Sequence, residues 1–267
     1  MSGLAERDLE ANLAELLESP GGRLLFSMQV LFRSRARLLA AVFIITIFAG
    51  FPLAGELIEW LVSEETGLRP AGDTEIIVLH PVELIMLKVN LSVYLAVIIT
   101  LFVLTIESAR LLSGSEALSE RLAELELNVP RPNLLAVGAG ISSVALAAIG
   151  LFYSLEFLIP FLLDYLAQDA EAANLATQWT LSNFIGFITT MMFASAIGFQ
   201  VPVFVTLALR TGVLERSQLT RYRRHLWFAA VVLGAVLSPP DPMSLLLVAL
   251  PMIILFELSM LIDRILA

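Results

Sequence analysis

The sequence predicts an all-α membrane protein, a bundle of six transmembrane helices with both ends on the cytoplasmic side and the last two helices short. Of its 267 residues, 58% are hydrophobic and only 15% charged. A soluble domain of this size could not hide so much apolar surface, so most of it must face lipid. That surface is gathered into long apolar runs joined by polar loops without a linker, which makes a single bundle. With six spans, every one of the 16 bases except Arg69 and Lys88 falls on the side of the N-terminus. The positive-inside rule therefore sets both termini inside.

Taken in order, residues 1–37 form a separate N-terminal segment and residues 38–267 the membrane domain. Leu9, Leu13, Leu16 and Leu17 recur at helical spacing among Glu6, Asp8, Glu10, Glu15 and Glu18, the pattern of an acidic amphipathic helix. Ser19-Pro20-Gly21-Gly22 breaks it. Arg23, Arg33, Arg35 and Arg37 then punctuate an apolar stretch suited to the headgroup region. The acidic start and the lack of a small-residue cleavage site argue against a cleaved signal peptide. Spans are expected over residues 38–62, 82–106, 134–159, 181–209, 226–237 and 243–262. The fifth, with 1.5 Å of rise per residue, covers only about 18 Å of a roughly 30 Å hydrocarbon core. Ser238-Pro239-Pro240-Asp241 forces a turn between the last two, since neither proline can donate a backbone hydrogen bond.

The chemistry available is narrow. Zero cysteines exclude disulfides, thiolate metal sites and thiol nucleophiles. His80 and His225 fall on opposite sides of the membrane and cannot share a metal. No phosphate-cradling glycine loop and no Gly-x-Ser-x-Gly occur. No enzyme, cofactor, metal or nucleic-acid partner is expected. The net charge of −9, with Lys88 the sole lysine, is a composition like that of halophiles.

Several polar residues stand out against the apolar spans. Gln200 lies deep in the fourth, where an amide is costly without a partner; it is bonded within its own bundle or meets a partner helix. Glu83 and Lys88 sit near the outer end of the second span as a boundary ion pair, a snorkelling lysine or part of an ion path. Pro202 and Pro251 each remove a helical hydrogen bond and predict kinks. Arg221-Tyr222-Arg223-Arg224 fixes topology and suits anionic headgroups. The loop at 108–133 carries Glu116, Glu120, Glu124 and Glu126 with leucines at helical spacing, a solvated amphipathic helix.

Phe199-Gln200-Val201-Pro202-Val203, Ser238-Pro239-Pro240-Asp241 and Pro251-Met252-Ile253-Ile254-Leu255-Phe256-Glu257 resemble, in order and spacing, the TatC family, whose pattern is Phe-Glu-x-Pro-Val, Thr-Pro-Pro-Asp and Pro-x-x-x-Leu-Tyr-Glu. Pro81, Glu83 and Lys88 are similar to the family's opening of the second span. The resemblance implies a core subunit of the twin-arginine translocase in a prokaryotic cell membrane. Such a subunit receives twin-arginine signal peptides from the cytoplasm, recruits TatA- or TatB-type single-span partners, possesses a capacity for self-association, and exports folded precursors on the proton gradient. It also implies a partner-helix contact for Gln200, which replaces the family's usual glutamate, and a motif role for Glu257. The family's His-Leu-x-Glu-Leu-Arg motif has only a partial counterpart around Glu15. Signal-peptide contact then falls to carboxylates at Glu15, Glu116, Glu120 and Glu124, which suit a cationic peptide. The alternatives are a small-solute or ion secondary transporter, for which no internal repeat is found, and a TatC-like subunit that no longer receives signals.

Overall fold

The computed structural model describes residues 20–63, 66, 68, 76–113, 132–173, 178–210, 214–238 and 241–266. Its helices are α1 (Pro20–Val62), α2 (Glu83–Ser113), α3 (Pro132–Tyr153), α4 (Ile159–Ala172), α5 (Leu181–Gly198), α6 (Val201–Arg210), α7 (Arg216–Arg221), α8 (Arg223–Leu237) and α9 (Pro242–Leu266). Among the described residues, five stretches are long and apolar enough to cross a membrane: Arg35–Val62, Glu83–Arg110, Val137–Ala172, Leu181–Arg210 and Pro242–Ile265. The remaining apolar helix, α8, has 15 residues and rises only about 22 Å.

The boundaries differ from the sequence reading in physically explicable ways. Pro20 opens α1, as a proline without an N–H can, and the basic stretch and the first span fall in one 43-residue helix with Pro52 inside it. The third span does not stop at Ile159. Residues Ser154–Leu158 form a π-helical turn in which the Ile159 N–H bonds Ser154 O, and Pro160 then sits in the first turn of α4, where its missing N–H costs nothing. The fourth span is broken: the Gln200 N–H turns back to Ile197 O at 2.9 Å, separating α5 from α6. Pro202, second in α6, needs no donor there. The last helix is not short, at 25 residues, because Asp241 and Pro242 start it early and apolar sequence carries it to Leu266.

A second departure from a purely helical chain joins the two loops at one end of the bundle. Ile76–Ile77 (β1) pairs in parallel with Trp179–Thr180 (β2). Trp179 packs edge-on to Phe184 at 6.0 Å. The largest core lies beneath this bridge, where Ile58 and Leu61 of α1, Leu162 of α4, and Phe184, Ile188 and Met191 of α5 are all nearly or fully buried. At the opposite end Leu219 of α7 packs on Phe256 and Met260 of α9. The outer faces stay apolar and bare, with Phe48 77% and Val236 75% exposed, as lipid requires.

Helices approach closely where side chains are small. A Cβ on Gly150 of α3 would stand 2.8 Å from Ser195 O and 3.0 Å from the Phe199 ring. Just beyond, Pro251 lies inside α9 and deprives the carbonyl four residues back, that of Leu247, of its helical donor. The Tyr153 hydroxyl supplies one instead, at 3.0 Å from Leu247 O.

That substitution of a hydroxyl for a missing amide is measurable. Tyr153→Phe should cost about 1 kcal/mol of unfolding free energy in detergent, the usual scale for an interhelical hydrogen bond. In a Pro251→Ala background, where the helix can bond Leu247 O itself, the same change should cost much less. Equal costs in both backgrounds would separate the hydroxyl from the proline.

Candidate functional site

Gln200 is the central polar group of the bundle. It sits at the α5–α6 break: the Phe199 N–H still bonds Ser195 O at 3.0 Å, the Gln200 N–H turns back three residues, and the Gln200 carbonyl accepts N–H groups in the first turn of the next helix, those of Val203 at 3.0 Å and Phe204 at 3.2 Å. The residue is 2% exposed. Ser143 of α3 donates its hydroxyl to Gln200 Oε1 at 2.5 Å, and Nε2 donates to Ser143 O at 3.2 Å and Ala196 O at 3.3 Å. The amide thus faces the bundle interior, and both its donor and its acceptor are used within the chain. Phe199, 8% exposed, fills the space left by Gly150 and lies 5.7 Å from the Tyr153 ring.

Glu257 forms the second node. Its Oε1 accepts from Arg223 Nε at 2.6 Å and from Trp227 Nε1 at 2.8 Å, tying α9 to the start of α8. The Arg223 guanidinium also lies 4.9 Å over the Trp227 ring, where a cation is attracted to the π face. Asp241 is a helix cap: its Oδ1 accepts the Ser244 N–H at 2.8 Å, and its other oxygen accepts the Ser244 hydroxyl. With Pro242 in the first turn, this is a standard helix start.

Glu83 and Lys88 do not pair. Five residues apart on α2, they point some 140° apart around the helix, a consequence of the 3.6-residue turn. One buried carboxylate oxygen of Glu83, Oε2, has no hydrogen-bond partner. Lys88 instead runs along α1, with Nζ 3.1 Å from where a Gly55 Cβ would stand, so the missing side chain of Gly55 leaves its path open. The remaining sites named from sequence, Glu15, Glu116, Glu120, Glu124, Pro239 and Pro240, lie outside the described residues.

One carboxylate went unremarked in sequence. Glu107, near the end of α2, is 7% exposed and lies between Arg35 Nε of α1 at 3.2 Å and Arg110 Nη1 at 3.1 Å. The available signal was Glu107 three residues before Arg110, a helical pair. Nothing local announced Arg35, some seventy positions upstream.

Fold and site together define a multi-span membrane protein whose few buried polar groups tie helices to one another. The sequence profile of the family described as Sec-independent protein translocase protein (TatC) matches residues 29–251. The chain belongs to the TatC family. A TatC of Aquifex aeolicus is 23% identical over 231 residues, covering 86% of this chain and 91% of that protein. One of Haemophilus influenzae is 32% identical over 124 residues, and TatCy of Bacillus subtilis 27% over 122. In these last two matches the chain spans about half the length of the relative. A crystal structure described as the twin-arginine translocase receptor TatC superposes with a TM-score of 0.68 at 23% identity, over 88% of this chain and 98% of that one.

Removing the Gln200 amide leaves the Ser143 hydroxyl without its acceptor and takes one donor from the Ser143 carbonyl. Gln200→Leu should therefore lower unfolding stability by about 1–2 kcal/mol. Gln200→Glu, held protonated in an apolar setting, keeps an acceptor and one donor and should cost less. Equal losses for the two, read by denaturant unfolding in detergent, would remove the amide from the α3–α5 tie.

Proposed function

We propose that this chain is the core subunit of a prokaryotic Sec-independent, twin-arginine translocase. It crosses the cell membrane six times with both termini in the cytoplasm, α8 serving as the short fifth crossing. It takes twin-arginine signal peptides of folded precursors at the cytoplasmic end and assembles with TatA- or TatB-type single-span helices on its lipid-facing surfaces. The family match over residues 29–251 is the observation that carries this reading. The arginine distribution supports the orientation, and the exposed apolar helix faces support lateral partners.

Within this reading Glu83, Lys88 and Glu257 lie at the rims of the bundle. Gln200 backs the α5–α6 surface from the inside, so a partner helix would feel it through the placement of Phe204, which is 40% exposed and donates its N–H to the Gln200 carbonyl. Glu15, Glu116, Glu120 and Glu124 are the carboxylates proposed to meet the cationic peptide. A purely scaffolding subunit would keep the fold and the partners but not the peptide.

Two experiments test these proposals. Co-purification with a twin-arginine precursor should exceed that with the same precursor carrying Lys-Lys by roughly tenfold, the scale of one or two lost bidentate contacts; equal recovery would mark a subunit without signal reception. Topology reporters after Leu111, near Gln218 and at the C-terminus should report cytoplasm, and those near Gly72 and Ala170 the outside. Any reversal would overturn the orientation.

A further inference from the structure

At the end of the bundle formed by α6, α7, the start of α8 and the end of α9, arginines outnumber carboxylates. Arg210, Arg216, Arg221, Arg223, Arg224 and Arg264 face Glu215, Glu257 and Asp263, a local excess of bases in a chain of net charge −9. Two of the carboxylates are already engaged. Glu215 caps α7 and accepts the Ser217 hydroxyl at 3.1 Å, and Glu257 holds Arg223 and Trp227. Among the described residues Arg221 and Arg224 hold no ion pair, and both are exposed.

Arg224 also heads a stripe. Phe228, Val232 and Val236 follow it at intervals of four, so each is the next neighbour along one side of α8. They are 70%, 43% and 75% exposed. A cation at the top of a bare apolar stripe, with a second cation one turn earlier at Arg221, has the shape of a phospholipid: phosphate above, acyl chain below. Helix α8 is also too short for the core, so the leaflet must thin or dip to meet it, which brings the headgroup plane down to the arginines.

We propose that α8 carries a binding site for an anionic phospholipid, with Arg221 and Arg224 holding the phosphate and Phe228, Val232 and Val236 lining the acyl chain. The site depends only on the chain lying in a bilayer, not on signal-peptide reception. Its selectivity rests on charge, since the apolar stripe accepts the chain of any phospholipid.

Trp227, pinned to Glu257, is a reporter beside the stripe. In a Trp60→Phe/Trp179→Phe protein, reconstituted in phosphatidylcholine bilayers, brominated phosphatidylglycerol should quench Trp227 with a relative binding constant roughly tenfold or more above brominated phosphatidylcholine, the scale expected of two arginines at an anionic surface. Arg221→Gln/Arg224→Gln should bring the two lipids level, while Arg221→Lys/Arg224→Lys keeps the preference. Raising the salt on the unsubstituted arginines should also shrink it, a reading that stands even if the glutamine variant fails to fold. Equal quenching by the two lipids, or a preference that survives both salt and glutamine, would overturn the site. So would its loss to inorganic phosphate at an ionic strength matched with chloride that leaves it intact, which would indicate a free anion rather than a lipid.

Discussion

A helix in hydrocarbon has no water to which an orphaned carbonyl can turn. That constraint governs this bundle more visibly than any charge, because the chain places prolines inside its membrane-spanning helices and must answer each one. Pro160 falls just after a π-helical turn, in the first turn of α4, where no N–H is needed. Pro202 falls at the start of α6, after a break already closed by Gln200. Pro251 stands in mid-helix, and the carbonyl it abandons is met from another helix by Tyr153. A fourth, Pro52, stands inside α1; of the other three, local rearrangement answers two and Pro251 draws on tertiary structure. Tyr153 thereby belongs to the packing of α9 as much as to α3.

The buried polar groups follow the same rule. Several hydroxyls in the spans bond back to the carbonyl four residues earlier, as Thr105 does to Leu101 and Ser259 to Leu255, and so link nothing across the bundle. Ser143 is different. It spends its hydroxyl on Gln200 of another helix, and Gln200 returns the bond to its carbonyl. An amide, with a donor and an acceptor on one flat group, can make that reciprocal contact where a hydroxyl could not. Glu257 does comparable work at the rim, where half-exposed charge is cheaper and a carboxylate can hold both a guanidinium and an indole.

What could be read in sequence were features with a periodicity or a chain-local cause. Apolar run length located the five long apolar stretches, arginine placement suggested an orientation, and Ser238-Pro239-Pro240-Asp241 marked the turn before the last helix. The π turn escaped because Pro160 reads equally well as a stop or as a first-turn residue, and only packing against α5 decides between them. Glu107 escaped because its decisive partner, Arg35, is remote in the chain. Gln200 was recognised as costly, but burial cost alone does not say which neighbour will relieve it. That depends on the close approach of α3 permitted by Gly150, a contact no pattern along one helix reveals. The β1–β2 bridge, two residues on each side, is too short to leave a periodic trace.

That bridge nonetheless has a mechanical meaning. It fastens the loop after α1 to the loop that enters α5, and Trp179 anchors the fastening against Phe184 and Phe187. Parallel strands place both segments in the same direction along the joint, so a load on one is borne as shear across all its hydrogen bonds together. The helices on either side, already joined by the shared core beneath, are thereby fastened at their ends as well, like posts under a lintel.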